Sequence, residues 1–197
     1  MGGHGPVAGE VARSVDRRDG ASGQGDLIQI GVAVDIPEPW GGQLTRRRAE
    51  AGDPQAADIP AHVTLLGPTE IPAAALPAVE RHLATVSSAH LPFTLHLRGT
   101  GTFRPVTQVV FVAVAAGISE CELLAGAISA APELHREARF PYHPHVTVAQ
   151  DVPPEALDKV YEDLADFSAV FEVAAFTLFL HSGQARWQPR RDFRLGG

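Results

Sequence analysis

The sequence predicts an α+β fold in which two pseudo-symmetric lobes face a central cleft, each lobe a mainly antiparallel sheet with helices on its outer face. One observation is a tetrapeptide pattern written twice, His62-Val63-Thr64-Leu65 and His145-Val146-Thr147-Val148. A second is that each half of the chain reads strand, helix, motif strand, helix, strand. A third is composition, since 197 residues with 45% hydrophobic and 20% charged side chains suit one packed unit. We therefore expect residues 27–197 to form a single bilobal domain.

The N-terminal half supplies the first set of elements. Residues 1–26 are rich in Gly, Ser, Asp and Arg without an apolar run, so we expect a disordered tail. A β-branched run predicts a strand over 27–34, and a helix is expected from Trp40 to about Ala51, ending in three arginines. A loop over 52–61 leads to the motif strand, 62–66, which Gly67-Pro68 should end. Apolar residues at helical spacing then predict a helix over 72–86.

The second half repeats this order after alternating and continuous apolar runs that predict strands over 93–97 and 109–114. Ser119 is a candidate cap for a helix over 120–131. The second motif strand begins at His145, and Pro154 near the first helical position predicts a helix to about Asp166. A strand is expected over 171–180, and an edge strand over 185–195 that Pro189 weakens.

Charge and cysteine content exclude several classes of protein. The formal net charge of -7 works against a long nucleic-acid groove, which needs a basic stripe, but remains compatible with a small nucleotide or an RNA end. The single cysteine, Cys121, excludes an internal disulfide and a thiolate zinc cluster, so we expect a reducing cytoplasmic location. Its neighbours Glu120 and Glu122 disfavour a thiolate, which indicates an inert thiol. No run of 18 apolar residues is present, so no membrane span is predicted.

The spacing inside the repeated motif has a direct structural meaning. Successive side chains of a strand point to opposite faces, so His and Thr two positions apart share a face while the apolar residues turn into the core. Two such strands would bring two imidazoles and two hydroxyls to one cavity, which suits metal-free acid-base chemistry on a phosphate ester. Composition predicts only roughly 0.1 such motifs by chance. The alternative is that each motif is an ordinary half-buried strand carrying a surface histidine.

These paired motifs, in a duplicated α+β chain, resemble the 2H phosphoesterase superfamily, which includes bacterial 2'-5' RNA ligases and RNA 2',3'-cyclic phosphodiesterases. The resemblance spans about 27–195 and is carried chiefly by His62, Thr64, His145 and Thr147. The segment Gly101-Thr102-Phe103-Arg104-Pro105 is also similar to one in the ligase-like branch. The resemblance implies a bilobal fold, these four residues as the catalytic set, no metal and no nucleotide cofactor. It leaves the substrate open among RNA ends and small nucleotides, and we expect a monomer.

Three further residues are candidates for substrate binding. Phe103 and Tyr142 could stack on a base, although an aromatic residue in a loop more often serves packing. Arg104 could pair with a phosphate, or it could be a solvated surface arginine. The sequence His143-Pro144-His145 hints at a metal, but no companion cluster of ligands accompanies it.

The sequence therefore predicts a metal-independent phosphoesterase or ligase acting on 2',3'-cyclic phosphate or 2'-5' phosphodiester linkages. The alternative from another class is a non-catalytic nucleotide-binding or regulatory protein that keeps the fold, and a third is an unrelated α+β protein. Intact histidines and threonines in both motifs favour catalysis, because a binding protein needs no pair of proton-transfer groups. The residues leave open whether the reaction is hydrolysis or ligation, and which histidine is the base.

Overall fold

The computed structural model describes residues 26–135, 140–181 and 186–197. The predicted disordered tail therefore lies outside the described residues, except for Asp26, whose carbonyl accepts a hydrogen bond from Ala73 N. None of the helices in the described ranges has the length and apolar character that crossing a membrane requires.

The described residues form four α-helices and eight strands in an α+β arrangement. The helices are α1 Trp40–Glu50, α2 Leu76–Ala89, α3 Ile118–Ser129 and α4 Pro154–Asp163. The strands are β1 Leu27–Asp35, β2 His62–Pro72, β3 Phe93–Thr102, β4 Val109–Ala116, β5 His145–Gln150, β6 Ser168–Val173, β7 Ala175–His181 and β8 Gln188–Arg194.

The strands build two antiparallel sheets of four, in the orders β2-β1-β7-β8 and β5-β4-β3-β6. The two orders correspond strand by strand, which confirms the predicted pseudo-symmetry. In both sheets the motif strand is at an edge, and the strand that opens the same half of the chain lies beside it. The third strand comes from the other half: β3 pairs with β4, and β7 pairs with β1. The lobes therefore do not coincide with the sequence halves.

The helices and the core also combine residues from both halves of the chain. Helix α3, from the second half, contacts β2, and α1, from the first half, contacts β5. Buried side chains of both sheets form one hydrophobic cluster that includes Ile30, Leu95 and Phe176, each at most 1% exposed. A shared core of this kind couples the two lobes energetically.

Several element boundaries differ from the expected ones. The predicted end of the first motif strand at Gly67-Pro68 was wrong, because β2 continues to Pro72. The register shifts there, with Leu66 opposite Val32 and Thr69 opposite Ile30, so Gly67 and Pro68 form a bulge facing Gly31. A proline is tolerated at this place because β2 is an edge strand and the bulge interrupts the ladder.

The expected single strand over 171–180 is two strands, β6 and β7, separated by Ala174. Val173 pairs with Phe93 in one sheet, whereas Ala175 pairs with Arg194 in the other. Because both strands are apolar, hydrophobicity shows no break where the chain changes sheets. Helix α3 begins at Ile118 after Gly117, whose φ of 90° is left-handed, so the predicted Ser119 cap was wrong.

Candidate active site

The repeated motifs occupy equivalent edge strands and show the expected alternation. On β2, Val63 and Leu65 are at most 3% exposed while His62 and Thr64 are half-buried. On β5, Val146 and Val148 are fully buried while His145 and Thr147 are half-buried. The apolar residues anchor each strand in the core, so each histidine shares the solvent-facing side of its strand with a threonine.

Both histidine rings are held in the same way. The His62 Nδ1 lies 2.8 Å from the Pro60 carbonyl oxygen, and the His145 Nδ1 lies 2.7 Å from the His143 carbonyl oxygen. A carbonyl only accepts, so Nδ1 must carry the hydrogen in each ring. Nε2 is therefore the atom left to accept a proton from the neutral imidazole or donate one from the imidazolium. The backbone two residues upstream thus sets the same tautomer twice.

Three of the four motif residues share one cavity. His62, Thr64 and Thr147 line a cavity of about 240 Å³, which we call the polar cavity. His145 lines a neighbouring cavity of about 350 Å³, which we call the apolar cavity. The motif strands contact each other, and Tyr142, just before β5, donates its hydroxyl to the Thr64 carbonyl at 2.9 Å. The other residues of the polar cavity are Gly31, Val32, Ala33, Arg48, Gln55, Ile59, Leu66, Gly67, Pro68, Gln150, Phe179 and Trp187.

The cleft disfavours the charged form of both imidazoles. Burial lowers the pKa of His62 below 6.5, opposed by its bond to Pro60, while the charge of Arg48 lowers it further and that of Asp35 raises it. Burial also lowers the pKa of His145, opposed by its bond to the His143 carbonyl, while the charges of the His143 and His62 rings lower it further. The influence of His62 on His145 places the two rings within electrostatic range. Two such imidazoles favour states in which at most one is charged.

The two histidines differ in their cross-strand neighbours. Asp35 lies opposite His62 on β1, and its Oδ2 accepts a hydrogen bond from Thr177 Oγ1 at 2.9 Å. Ala113 lies opposite His145 on β4, so no carboxylate occupies the equivalent position. The rings of Phe103 and Phe111 instead approach His145, with centroids 5.0 and 5.2 Å away. The environment of His62 is therefore polar and that of His145 aromatic.

Part of the wall of the polar cavity is aromatic. Phe179 on β7 lies directly opposite Gly31 on β1, and the Trp187 ring covers Gly31. A Cβ on residue 31 would stand 3.3 Å from Trp187 Cζ3, so glycine gives the indole room to lie across the strand. Trp187 and Phe179 thus form an aromatic surface in the wall of the polar cavity. Such a surface suits a planar base.

The three predicted substrate-binding residues lie in different places. Phe103 lines the apolar cavity and packs on Phe111, with ring centroids 4.5 Å apart. Arg104 donates from Nη1 to Asp158 Oδ1 on α4 at 2.7 Å. Tyr142 is half-buried, and burial, with smaller contributions from Cys121 and Glu122, raises the pKa of its phenol far above the ordinary value. The Tyr142 hydroxyl therefore remains a neutral donor to β2.

Sequence reasoning missed the polar residues that surround the motifs. Arg48 and Gln55 line the polar cavity from α1 and the turn after it, and Gln150 lines it from the end of β5. Asp53 is 5% exposed and accepts from Arg48 Nε at 2.7 Å. A usable signal existed for Arg48: the buried positions of α1 are Gly41, Leu44 and Arg48, so the arginine lies on the buried stripe.

Two other sequence-based readings concern metals and thiols. In the described ranges, no group of three or more His, Cys, Asp or Glu side chains is arranged to hold a metal ion. Cys121 is fully buried, and burial, followed by Glu120 and Glu122, raises the pKa of its thiol to about 12. The acidic neighbours act in the expected direction, but burial is the larger cause of low thiolate content.

Comparison with known proteins adds family relationships to this geometry. The family model for the 2'-5' RNA ligase superfamily matches residues 36–185. A Bacillus cytotoxicus protein that carries a phosphoesterase name is 28% identical over 151 residues, which cover 73% of this chain and 84% of that protein. Escherichia coli LigT in its apo form is 25% identical, with a TM-score of 0.64 over 87% of this chain and 99% of LigT. LigT complexed with ATP is 26% identical over the same shares, with a TM-score of 0.63.

Proposed function

The chain belongs to the 2'-5' RNA ligase superfamily, and from this membership and the cleft we propose that it is a metal-independent phosphoesterase for 2',3'-cyclic phosphate or 2'-5' phosphodiester linkages. The observation that carries the proposal is the pair of equivalent His-x-Thr strand edges, each histidine with Nδ1 bonded to a backbone carbonyl. His62, Thr64 and Thr147 line the polar cavity and His145 lines the apolar cavity, which supports two proton-transfer atoms and two hydroxyl donors acting on one phosphate. General acid-base catalysis needs such a pair.

Hydrolysis of a cyclic phosphate would use the two rings in opposite states. The neutral histidine takes a proton from water through Nε2 as the water oxygen bonds to phosphorus. The bond from phosphorus to one ribose oxygen breaks, and the protonated histidine gives its proton to that oxygen. Thr64 and Thr147 donate hydrogen bonds to the non-bridging oxygens, which hold the phosphorus in line and stabilise the developing charge. For ligation the same groups act in reverse on a ribose hydroxyl.

The shapes of the two cavities support a small substrate. The polar cavity, at about 240 Å³, is slightly smaller than typical small-molecule sites of roughly 300–1,000 Å³. It matches a single nucleotide end, with phosphate at the motifs and base on Trp187 and Phe179. The apolar cavity, with Phe103 in its wall beside His145, would take the group on the other side of the phosphate. LigT, the 26%-identical relative, was crystallised with ATP, which agrees with a nucleotide-sized ligand.

The remaining parts of the proposal concern the protein's setting. We propose a monomer in a reducing cytoplasm, and the single, fully buried cysteine supports the reducing compartment. Tyr142 positions the motif strand through the Thr64 carbonyl. Arg104 pairs with Asp158 through Nη1, so a phosphate at Arg104 would compete with or share that ion pair.

The decisive experiment incubates the protein with each nucleoside 2',3'-cyclic phosphate and with a 2'-5'-linked dinucleotide, in buffer containing a chelator. We expect hydrolysis with a bell-shaped pH profile whose optimum lies below about 6.5, because burial lowers the pKa of both histidines. His62→Ala or His145→Ala should each reduce kcat by roughly two decades or more. Chromatography of the products identifies the phosphomonoester and so the bond that breaks.

His96→Ala is the matched control, because His96 is bonded to Ser168 in the second sheet and lines neither cavity. It should retain wild-type turnover. Unchanged rates in both motif variants would contradict the proposal, and nucleotide binding without turnover by the wild type would instead favour a binding protein.

A further inference from the structure

Arg48 stands apart from the other residues of the polar cavity because of its charge. Among the described residues that line this cavity, it is the one with a permanent formal charge, in a protein of net charge -7. A phosphate ester brings at least one negative charge into the cleft. The two threonine hydroxyls offer hydrogen bonds but no charge. A full positive charge in the cavity wall would therefore add electrostatic attraction for the phosphate.

Arg48 is buried, which makes its position costly unless its charge is matched. The residue is 3% exposed, and Asp53, its partner, is 5% exposed. Arg48 Nε donates to Asp53 Oδ2 at 2.7 Å. Removing two ions from water is expensive, and such pairs are often no more stabilising than apolar ones. Stability alone is therefore a weak reason for an arginine at this place.

The geometry of the pair leaves the far end of the guanidinium for another partner. Asp53 Oδ1 accepts from Gln55 N at 2.8 Å, while Oδ2 accepts from Arg48 Nε and, at 3.2 Å, from Gln150 N. The carboxylate is therefore shared with two backbone donors, and its ion pair with Arg48 runs through Nε. Arg48 is held by one nitrogen while the residue lines the cavity.

The same network connects Arg48 to both motifs. Gln150 lies three residues after Thr147 on β5, so its bond to Asp53 fixes the arginine relative to the second motif. On the other side, the charge of Arg48 contributes to the lowered pKa of His62, after burial as the largest cause. The guanidinium therefore lies within electrostatic range of the first motif as well.

We propose that Arg48 is the anion-binding residue of the cleft, whose terminal amino groups hold a non-bridging phosphate oxygen while Asp53 fixes the guanidinium through Nε. The inference rests on the proposed function for the identity of the natural ligand, but anion binding itself does not require turnover. Arg48 would favour the transition state over the bound substrate to the extent that negative charge on the non-bridging oxygens increases during the reaction.

The experiment measures binding of inorganic phosphate by NMR titration, which is independent of catalysis. Arg48→Gln should weaken phosphate binding roughly 10- to 100-fold, as expected for a lost charge-assisted hydrogen bond. Arg48→Lys should retain part of the affinity, because it keeps the charge but loses the planar fork. The pKa of the His62 ring, followed in the same samples, should rise in Arg48→Gln, since a charge that lowers it is removed. A purely structural arginine would leave the phosphate affinity near wild type in a folded variant, whereas the His62 pKa reports only that the charge beside that ring has been removed.

Folding and charge are controlled separately. Arg48→Gln leaves Asp53 buried without its partner, so the double variant Arg48→Met with Asp53→Asn removes both charges and guards against unfolding. It should lose phosphate affinity to the same extent. Arg47→Gln makes the same change in net charge on the same helix, where Arg47 pairs with exposed Glu50, and it should bind phosphate as the wild type does.

The outcomes separate this inference from the proposed function. Wild-type phosphate affinity in the folded double variant overturns the role of Arg48, and so does an absence of phosphate binding by the wild type. Cyclic-phosphate turnover that survives the loss of Arg48 undiminished also overturns it while leaving the function intact. Phosphate binding that depends on Arg48, without turnover of any cyclic phosphate, supports the anion site and rejects the proposed reaction.

Discussion

At the scale of single residues, the chemistry of the cleft depends on which nitrogen of each histidine ring is left for proton transfer. Nδ1 of both His62 and His145 is committed to a backbone carbonyl. Burial then lowers the pKa of both rings, so the neutral, Nε2-accepting form is favoured at neutral pH. The geometry thus prepares a base in either position, and an acid appears only when one ring binds a proton.

The lowered histidine pKa values predict a pH-dependent stability. The unfolded chain binds protons near pH 6.5, before the folded state does, so the unfolding free energy is fully retained above about 6.5 and falls as the pH decreases toward the folded pKa values. Each histidine can contribute a slope of at most about 1.4 kcal/mol per pH unit in that range. Urea unfolding at several pH values between about 5 and 8, the range in which imidazoles titrate, measures this pH dependence of the unfolding free energy.

The comparison variant is His62→Asn with His145→Asn, which removes both titrating rings from the cleft. Its unfolding free energy should depend less on pH below about 6.5 than that of the wild type. An equally steep dependence in both proteins would assign the effect to other groups and contradict the burial argument.

At the scale of elements, the two motif strands are edge strands of different sheets, so each has a single neighbouring strand. Each begins with its histidine, and its inner neighbour, β1 or β4, supplies the residue opposite. That neighbour makes the two sides of the cleft unlike: Ala33 lies opposite Thr64, whereas Phe111 lies opposite Thr147. The small residue leaves the polar cavity open, and the phenylalanine packs toward His145.

Phe111 is kept in place by a glycine on the next strand, which gives an element-scale prediction. Gly101 on β3 lies opposite Phe111, and a Cβ there would stand 2.5 Å from the ring. Gly101→Ala must displace a ring that is 6% exposed and packed on Phe103, so it should cost about 1–3 kcal/mol of unfolding free energy. Because Phe111 also contacts His145, kcat should fall as well. Chemical denaturation and steady-state kinetics measure the two effects.

Gly126→Ala is the control for backbone effects, since a Cβ at this helical position meets nothing within 4 Å. It should leave activity unchanged and stabilise by about 0.4–1 kcal/mol. If Gly101→Ala behaved in the same way, the ring would have room to move and the packing argument would be wrong.

At the scale of the whole molecule, the exchanged third strands bind the halves into one unit. β3 has both of its partners, β4 and β6, in the second half, and β1 takes one of its partners, β7, from there. Neither half can complete its sheet alone. This topology packs the described residues of both halves into shared sheets and gives each sheet one motif strand at its edge.

Strand exchange predicts that the halves do not fold separately. A fragment ending at residue 106, between β3 and β4, should show no cooperative thermal transition by circular dichroism, because β3 lacks both neighbours. The complementary fragment from 107 should behave likewise, and an equimolar mixture should regain a cooperative transition. A sigmoidal unfolding curve from either fragment alone would reject this account.

What the sequence determined by itself is local and periodic. Two-residue alternation placed His62, Thr64, His145 and Thr147 on one face of their strands, and the repeated order of elements predicted two equivalent lobes. The predicted faces agree with the structure because side chains alternate between the two faces of any strand. The helical spacing that places Arg48 on the buried stripe of α1 is visible in the sequence in the same way.

Only the tertiary structure decided which strands share a sheet and which residues surround the motifs. The change of sheet at Ala174 has no hydrophobic signature, because both strands it separates are apolar. The bond from Gln150 N to Asp53 and the placement of Trp187 over Gly31 join residues far apart in the chain. Such contacts arise from the packing of whole elements, so no local pattern encodes them, and the charge and shape of the cleft follow from that packing.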